Sequence, residues 1–291
     1  MTLRPDPDNR PSFQSDAEDT EVEMADLFSL VPGDSPLVVS IPHAGTRLPA
    51  GMADRLTAQA IDVPDTDWHL DRLYNFAGDL GASVLTARYS RYVVDLNRPP
   101  EDDSLYPGQA TTGLVPSTTF DGEPIYRPGC EPDEVERAER LTQFWMPYHR
   151  ALARRLDAVR ARHGIAVLFD AHSIRSVVPR LFDGRLHDLN LGTARGASCD
   201  AALRTRVKDD LTAQSPYSVI TDGRFVGGYI TRHYGRPHAG IHALQLEMAQ
   251  LCYMDETPPW TYRPDRAATV QPILRRMLET LRDWGAHQSG T

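Results

Sequence analysis

Short apolar runs rich in Val and Ile, bounded by turn-forming residues, recur along the chain and read as buried strands. They are PLVVSIP ending at Pro42, ASVLTARY, YVVDL, IAVLFD ending at Asp170, YSVI and ALQLEM. Between them the apolar spacing lengthens to that of helices. Leu70, Leu73, Tyr74 and Ala77 share one helical face over residues 67–80, residues 133–163 form a long amphipathic helix that Pro147 kinks, and residues 265–284 supply a third. Strands alternating with helices predict an α/β fold, and 291 residues fit one such domain. Ligands of such folds gather at the carboxyl ends of the strands, so chemistry is expected just past each apolar run.

The pattern also sets expected boundaries. Residues 1–25, rich in Pro and Asp, read as a disordered tail, residues 26–285 as the single domain, and residues 286–291 as a loose end. Two long connections, 99–129 and 176–200, carry Pro, Gly, Asp and Thr in place of periodic apolar residues. Loops of that length often cover active sites, and the first is a candidate lid.

Composition narrows the partners. A formal net charge of -9 opposes nucleic-acid phosphates and anionic lipid, so a small molecule is the expected partner, and an anionic one needs a local cationic site. Cys130, Cys199 and Cys252 are far apart and lack metal-type spacing, which suits a reducing compartment. The start lacks the apolar stretch of a secretory leader and no segment reaches the ~20 apolar residues of a membrane span, so the expectation is cytoplasmic.

Several residues past the strand runs could do chemistry. His43 follows LVVSIP, and His172 ends IAVLFDAHS, where strand alternation points Asp170 and His172 to one side. Two strand-end histidines suggest a divalent metal, zinc by default, with manganese, cobalt or iron as alternatives. Either histidine taken alone is more often a hydrogen-bonded turn residue. A third ligand is needed, and Asp67, ahead of the helical pattern, competes with Asp65, His69, Asp71 and Asp170. The bland reading of Asp67 is a helix N-cap, and that of Asp170 a partner orienting His172.

Glu247, in the apolar alternation HALQLEM, is costly to bury without a task; it suits a general base and acid, or else an ion pair with a buried arginine. Segment SRYVVDLNRPP adds a polar cluster of Arg91, Asp95, Asn97 and Arg98, whose two guanidiniums suit carboxylate binding, with Arg98 alternatively an oxyanion stabiliser and Arg91 a structural ion pair. Gly228, Arg175, Arg180 and Arg232 lie in two further polar, glycine-bearing stretches and are candidate substrate contacts.

At these residues the sequence resembles the N-formylglutamate amidohydrolase (deformylase) family, histidine-degradation type. The likeness runs in order through SIPHAGTRLP, DTDWHLDRLY, SRYVVDLNRPP, TTGLVPSTTFDGEPIYRPG, FDAHSIRSVVPRLFDG, NLGTARGASCD, GRFVGGYITRHYG and IHALQLEMAQLCYM, roughly residues 35–262. The resemblance implies a mixed central β-sheet flanked by helices, similar to zinc carboxypeptidases (phosphorylase/hydrolase-like). It implies hydrolysis of N-formyl-L-glutamate as the last step of histidine degradation, His43 and His172 on one divalent metal, Glu247 as the catalytic glutamate, and Asn97-Arg98 on a substrate carboxylate. The His-x-x-Glu metal motif of the carboxypeptidases is absent, since Thr46 stands three residues after His43. Rival expectations are a zinc deacylase or carboxypeptidase for another N-acyl amino acid, and a non-catalytic protein that binds acidic amino acids.

Overall fold

The computed structural model describes residues 26–288 other than 106, 107, 109 and 214. The tail expected over residues 1–25 lies outside the described residues, as do residues 289–291 of the expected loose end.

One seven-stranded sheet forms the middle of the molecule. Its strands are β1 (Phe28–Val31), β2 (Leu37–Ile41), β3 (Ser83–Ala87), β4 (Ala166–Ile174), β5 (Leu189–Gly192), β6 (Val219–Thr221) and β7 (Ile241–Ala249), in spatial order β1-β3-β2-β4-β7-β5-β6. The sheet is mixed, with β3, β2, β4 and β7 running parallel and β1 and β5 antiparallel to their neighbours β3 and β7. Helices cover both faces, α1 (Leu70–Leu73), α4 (Ala201–Thr212) and α6 (Pro264–Gln288) on one, and α3 (Met146–His163) and α5 (Tyr229–Tyr234) on the other. Helix α2 (Glu134–Arg140) leads into α3.

The parity of β2, β4 and β7 explains where the chemistry sits. Val39, Val167, Phe169, Leu244 and Leu246 pack under α6 and α4, while Val38, Leu168 and Ala243 pack under α3. Following that second face toward the strand carboxyl ends, apolar residues give way to Ser40, Asp170, His172, Gln245 and Glu247. Register aligns them, with Ser40 opposite Asp170, Asp170 opposite Gln245, and His172 opposite Glu247. Period-2 alternation thus turns one half-buried face into a polar end without breaking the strands. All nine residues of β4 and of β7 are buried.

Several expectations shift. YVVDL is not a strand; residues 91–93 turn, and the backbone groups find partners off the sheet, Asp95 N donating to Leu114 O and Arg140 donating to the carbonyls of Tyr92 and Val93. Its apolar side chains Tyr92 and Val93 fill a separate small core with Leu56 and Ile125, which is why the run is apolar without pairing. The helix expected over 67–80 is a single α turn followed by a 3₁₀ stretch, Asn75–Leu80. In the long helix the perturbation falls just ahead of Pro147, as a π-helical stretch, Leu141–Trp145, joining α2 to α3; proline has no N–H for the carbonyl four residues back. The connection 176–200 hides β5, whose LNLG alternation is too short to register as a pattern. The connection 99–129 has no helix or strand among its described residues.

Candidate active site

His43 lies two residues past β2, and His172 lies in the last third of β4. Their rings approach to 4.9 Å between centroids, and both are buried. Each ring has one nitrogen occupied by a carboxylate: His43 Nε2 meets Asp95 Oδ1 at 2.8 Å, and His172 Nε2 meets Asp170 Oδ2 at 2.9 Å. A carboxylate on one nitrogen fixes the proton there and leaves the other lone pair exposed. Those two Nδ1 atoms converge on Asp67 Oδ2, at 3.8 Å from His43 and 3.2 Å from His172.

Asp67 therefore reaches the histidines, and its competitors do other work. It does not cap a helix, since α1 begins at Leu70 with His69 at its N-cap. Asp67 Oδ2 also accepts from Ser173 N, and its backbone N–H donates to His43 O, so the strand ends themselves seat it. Asp65 accepts from Tyr92 Oη and Phe120 N, the His69 ring pairs with Trp260 O, and Asp71 is exposed. Asp170 orients His172 while accepting from Ser40 Oγ.

His43, Asp67 and His172 offer ligand atoms that all lie within 4.8 Å of one another. The group fits a dication on two further counts. His43 Nδ1 and Asp67 Oδ1 are buried with no hydrogen-bond partner, and such atoms carry a desolvation cost of roughly 1–3 kcal/mol unless something pairs with them. The buried carboxylates of Asp67, Asp95, Asp170 and Glu247 also outnumber the one buried guanidinium beside them, Arg91, which bonds Asp95 Oδ2 at 2.6 Å and lies 3.7 Å from Asp67 Oδ1. Burial and the Arg91 charge lower the pKa of His43, which keeps its imidazole neutral. At His172 burial also lowers, but Asp170 and Asp67 outweigh it and raise the pKa well above the usual value. A proton there answers the same excess of negative charge that a metal ion would.

Glu247 stands beside this group on β7, and burial pushes its carboxyl up to about 8. Gln245 Nε2 donates to Glu247 Oε2 at 3.4 Å. A cleft of about 550 Å³, its open mouth included, runs from His43, His172 and Glu247 past Asn97 and Gly228 to Arg98 and Arg224, with Ile174, Leu181 and Phe225 as apolar wall.

Residues 35–254 match the N-formylglutamate amidohydrolase family along that whole stretch. The chain belongs to this family. It is 52% identical over 265 residues to the N-formylglutamate deformylase of Pseudomonas putida, covering 91% of this chain and 99% of that one. The Pseudomonas aeruginosa protein of the same name is 53% identical over 262 residues, covering 90% and 98%. Among solved structures, the N-formylglutamate amidohydrolase from Ralstonia eutropha JMP134 superposes with a TM-score of 0.76 at 26% identity, covering 91% of this chain and 99% of that one.

Within this amidohydrolase fold the expected arginines separate. Arg98 lines the cleft, with Nε donating to Thr112 O. Arg91 lines it too, but its guanidinium is engaged by Asp95 and stacks over Phe120. Arg175, Arg180 and Arg232 do not line it: they bond Asp121, Thr119 O, and the carbonyls of Gly227 and Leu105. Arg224 lines it instead, donating to Leu181 O and Ala110 O. It sits three residues past β6, where the carboxyl-end rule points, yet the neighbouring glycine pair and Arg232 draw the eye first. Asp95 was legible only as one member of a polar cluster.

Proposed function

We propose that this chain hydrolyses the formyl amide of N-formyl-L-glutamate, releasing formate and L-glutamate, with Glu247 as general base and acid and with one divalent metal ion, zinc by preference, held by His43, Asp67 and His172. The observation that carries the reading is the convergence of both Nδ1 atoms on Asp67 beside a buried glutamate in register with His172, in a chain half identical to proteins bearing the deformylase name.

When bound, the ion supplies Lewis acidity, polarising a carbonyl oxygen and lowering the pKa of a water. Two imidazoles and a carboxylate make a donor set that suits zinc while leaving one position open. Glu247 takes the proton of the attacking water and returns it to the departing amine nitrogen. Its raised pKa suits that exchange, because a carboxyl near the working pH both accepts and gives up a proton. Ile174, Leu181 and Phe225 exclude bulk water on the apolar side. Arg98 and Arg224 offer one guanidinium for each carboxylate of the glutamate half. Arg91 serves the metal site by holding Asp95.

The family likeness supports placing this reaction last in a histidine degradation route. A cytoplasmic location belongs to the same proposal and is supported by three free cysteines; among the described residues no helix is long and apolar enough to cross a membrane. The reading is tested by measuring formate release from N-formyl-L-glutamate beside acetate release from N-acetyl-L-glutamate. One added methyl in a fitted pocket is expected to lower kcat/KM roughly 10–200-fold. Equal or reversed preference favours a broader deacylase, and glutamate binding without formate release contradicts the enzyme reading.

A further inference from the structure

Asn97 is expected, by resemblance, to hold a substrate carboxylate, yet its polar atoms are committed inside the protein. Its backbone N–H donates to Asp95 Oδ1 at 2.9 Å, the same oxygen that orients His43. Its side-chain Nδ2 donates to Asp170 Oδ2 at 3.3 Å, the same oxygen that orients His172. Its Oδ1 accepts from Ile230 N at 2.8 Å, which fixes which end of the amide is nitrogen, and its carbonyl accepts from Tyr229 N. The 2.9 Å approach of Nδ2 to His172 Nε2 is then two donors gathered at one carboxylate oxygen.

From this we infer that Asn97 is a positioning residue for the metal group, a bracket that joins the two carboxylate–histidine pairs, and not a contact to the substrate carboxylate. Asp67 links the same two pairs from the side of the histidine Nδ1 atoms, and Asn97 links them from the carboxylate side. The backbone flanking Asn97 is gripped in the same sense: His149 Nε2 pairs with Leu96 O and Trp145 Nε1 donates to Arg98 O, both from the segment around the π-helical stretch. Gly228 completes the bracket. Its N–H donates to Gln245 Oε1, and a Cβ there would overlap the Asn97 amide. The requirement for glycine is thus set by Asn97, and Gly228 serves the metal group rather than the substrate.

The inference rests on the metal reading above, and its test separates the two. Zinc affinity is measured by competition with a chelating dye for the wild type, Asn97→Asp and Gly228→Ala, and KM for N-formyl-L-glutamate is measured with zinc saturating, with Arg98→Ala for contrast. Asn97→Asp keeps shape and the Ile230 bond but sets an oxygen against Asp170 Oδ2; Gly228→Ala pushes on the amide and removes no polar group. Loss of a partner that orients a metal ligand typically weakens metal binding about 10–100-fold. The expected result is a weakening in that range for both variants, with KM within about threefold of wild type at saturating zinc, while Arg98→Ala raises KM and leaves zinc affinity unchanged. Zinc affinity within about threefold of wild type in Gly228→Ala and in any folded Asn97→Asp overturns the bracket. A wild-type chain that binds no zinc overturns the metal reading and the bracket together.

Discussion

His172 and Glu247 stand opposite each other in the parallel pairing of β4 with β7. Neighbouring strands lie about 4.8 Å apart, so this register brings the candidate general base to the imidazole without any loop having to position it. Both side chains stand on the sheet face that turns polar at its carboxyl end, and a one-residue slip of β7 would send Glu247 into the apolar layer beneath α6.

From that placement, Glu247→Gln is expected to lower kcat by roughly 10²–10⁴-fold, the usual contribution of a positioned proton carrier. Stoichiometric zinc binding should persist, because Glu247 is not among the three residues proposed to hold the ion. Steady-state rates beside metal analysis check this, and a rate within tenfold of wild type would remove Glu247 from the mechanism.

Arg98 and Arg224 line the cleft from different parts of the chain and both bond one segment that also lines it, at Thr112 and Ala110. Losing a charged hydrogen-bond partner costs about 1.5–3 kcal/mol, so Arg98→Ala and Arg224→Ala should each raise KM roughly 10–150-fold. Arg175→Ala, which breaks an ion pair with the exposed Asp121, should leave KM near wild type. A large KM effect at Arg175 together with none at Arg224 would invert the assignment.

How far the sequence carried the account follows from how local each signal is. Strands buried on both faces announce themselves by composition, and β2, β4 and β7 were legible because Val, Leu and Ile fill them. Strand-end position then singled out His43 and His172, and the cost of burying a carboxyl in an apolar alternation singled out Glu247. The sequence left five candidates for a residue joining the two histidines because Asp67 reaches them through a backbone bond to His43 and a turn, neither of which leaves a periodic trace. YVVDL misled for the converse reason: its apolar residues serve a small core away from the sheet. Hydrogen-bond geometry decides the part Asn97 plays, and one-dimensional spacing holds nothing of it.

Acid sensitivity should trace in part to His149, buried in α3 between Trp145 and Tyr234. Burial depresses its pKa from 6.5 to about 3. The folded state therefore favours the neutral ring: the contribution is complete above about pH 6.5 and is lost as pH falls toward 3, by at most about 5 kcal/mol. The thermal midpoint should drop steeply between pH 6.5 and 4, and His149→Gln, less stable at pH 7, should show a shallower drop. Equal slopes would assign the acid limb to other groups.

The central claim is that formate release depends on an ion held by His43, Asp67 and His172. The most direct test strips the chain with chelator, restores zinc in measured steps, and follows formate release from N-formyl-L-glutamate, with Asp67→Ala alongside. The account predicts activity that is lost on chelation, rises in proportion to zinc up to one ion per chain, and is not restored in Asp67→Ala. Full activity in the stripped protein, or full recovery by zinc in Asp67→Ala, would contradict it.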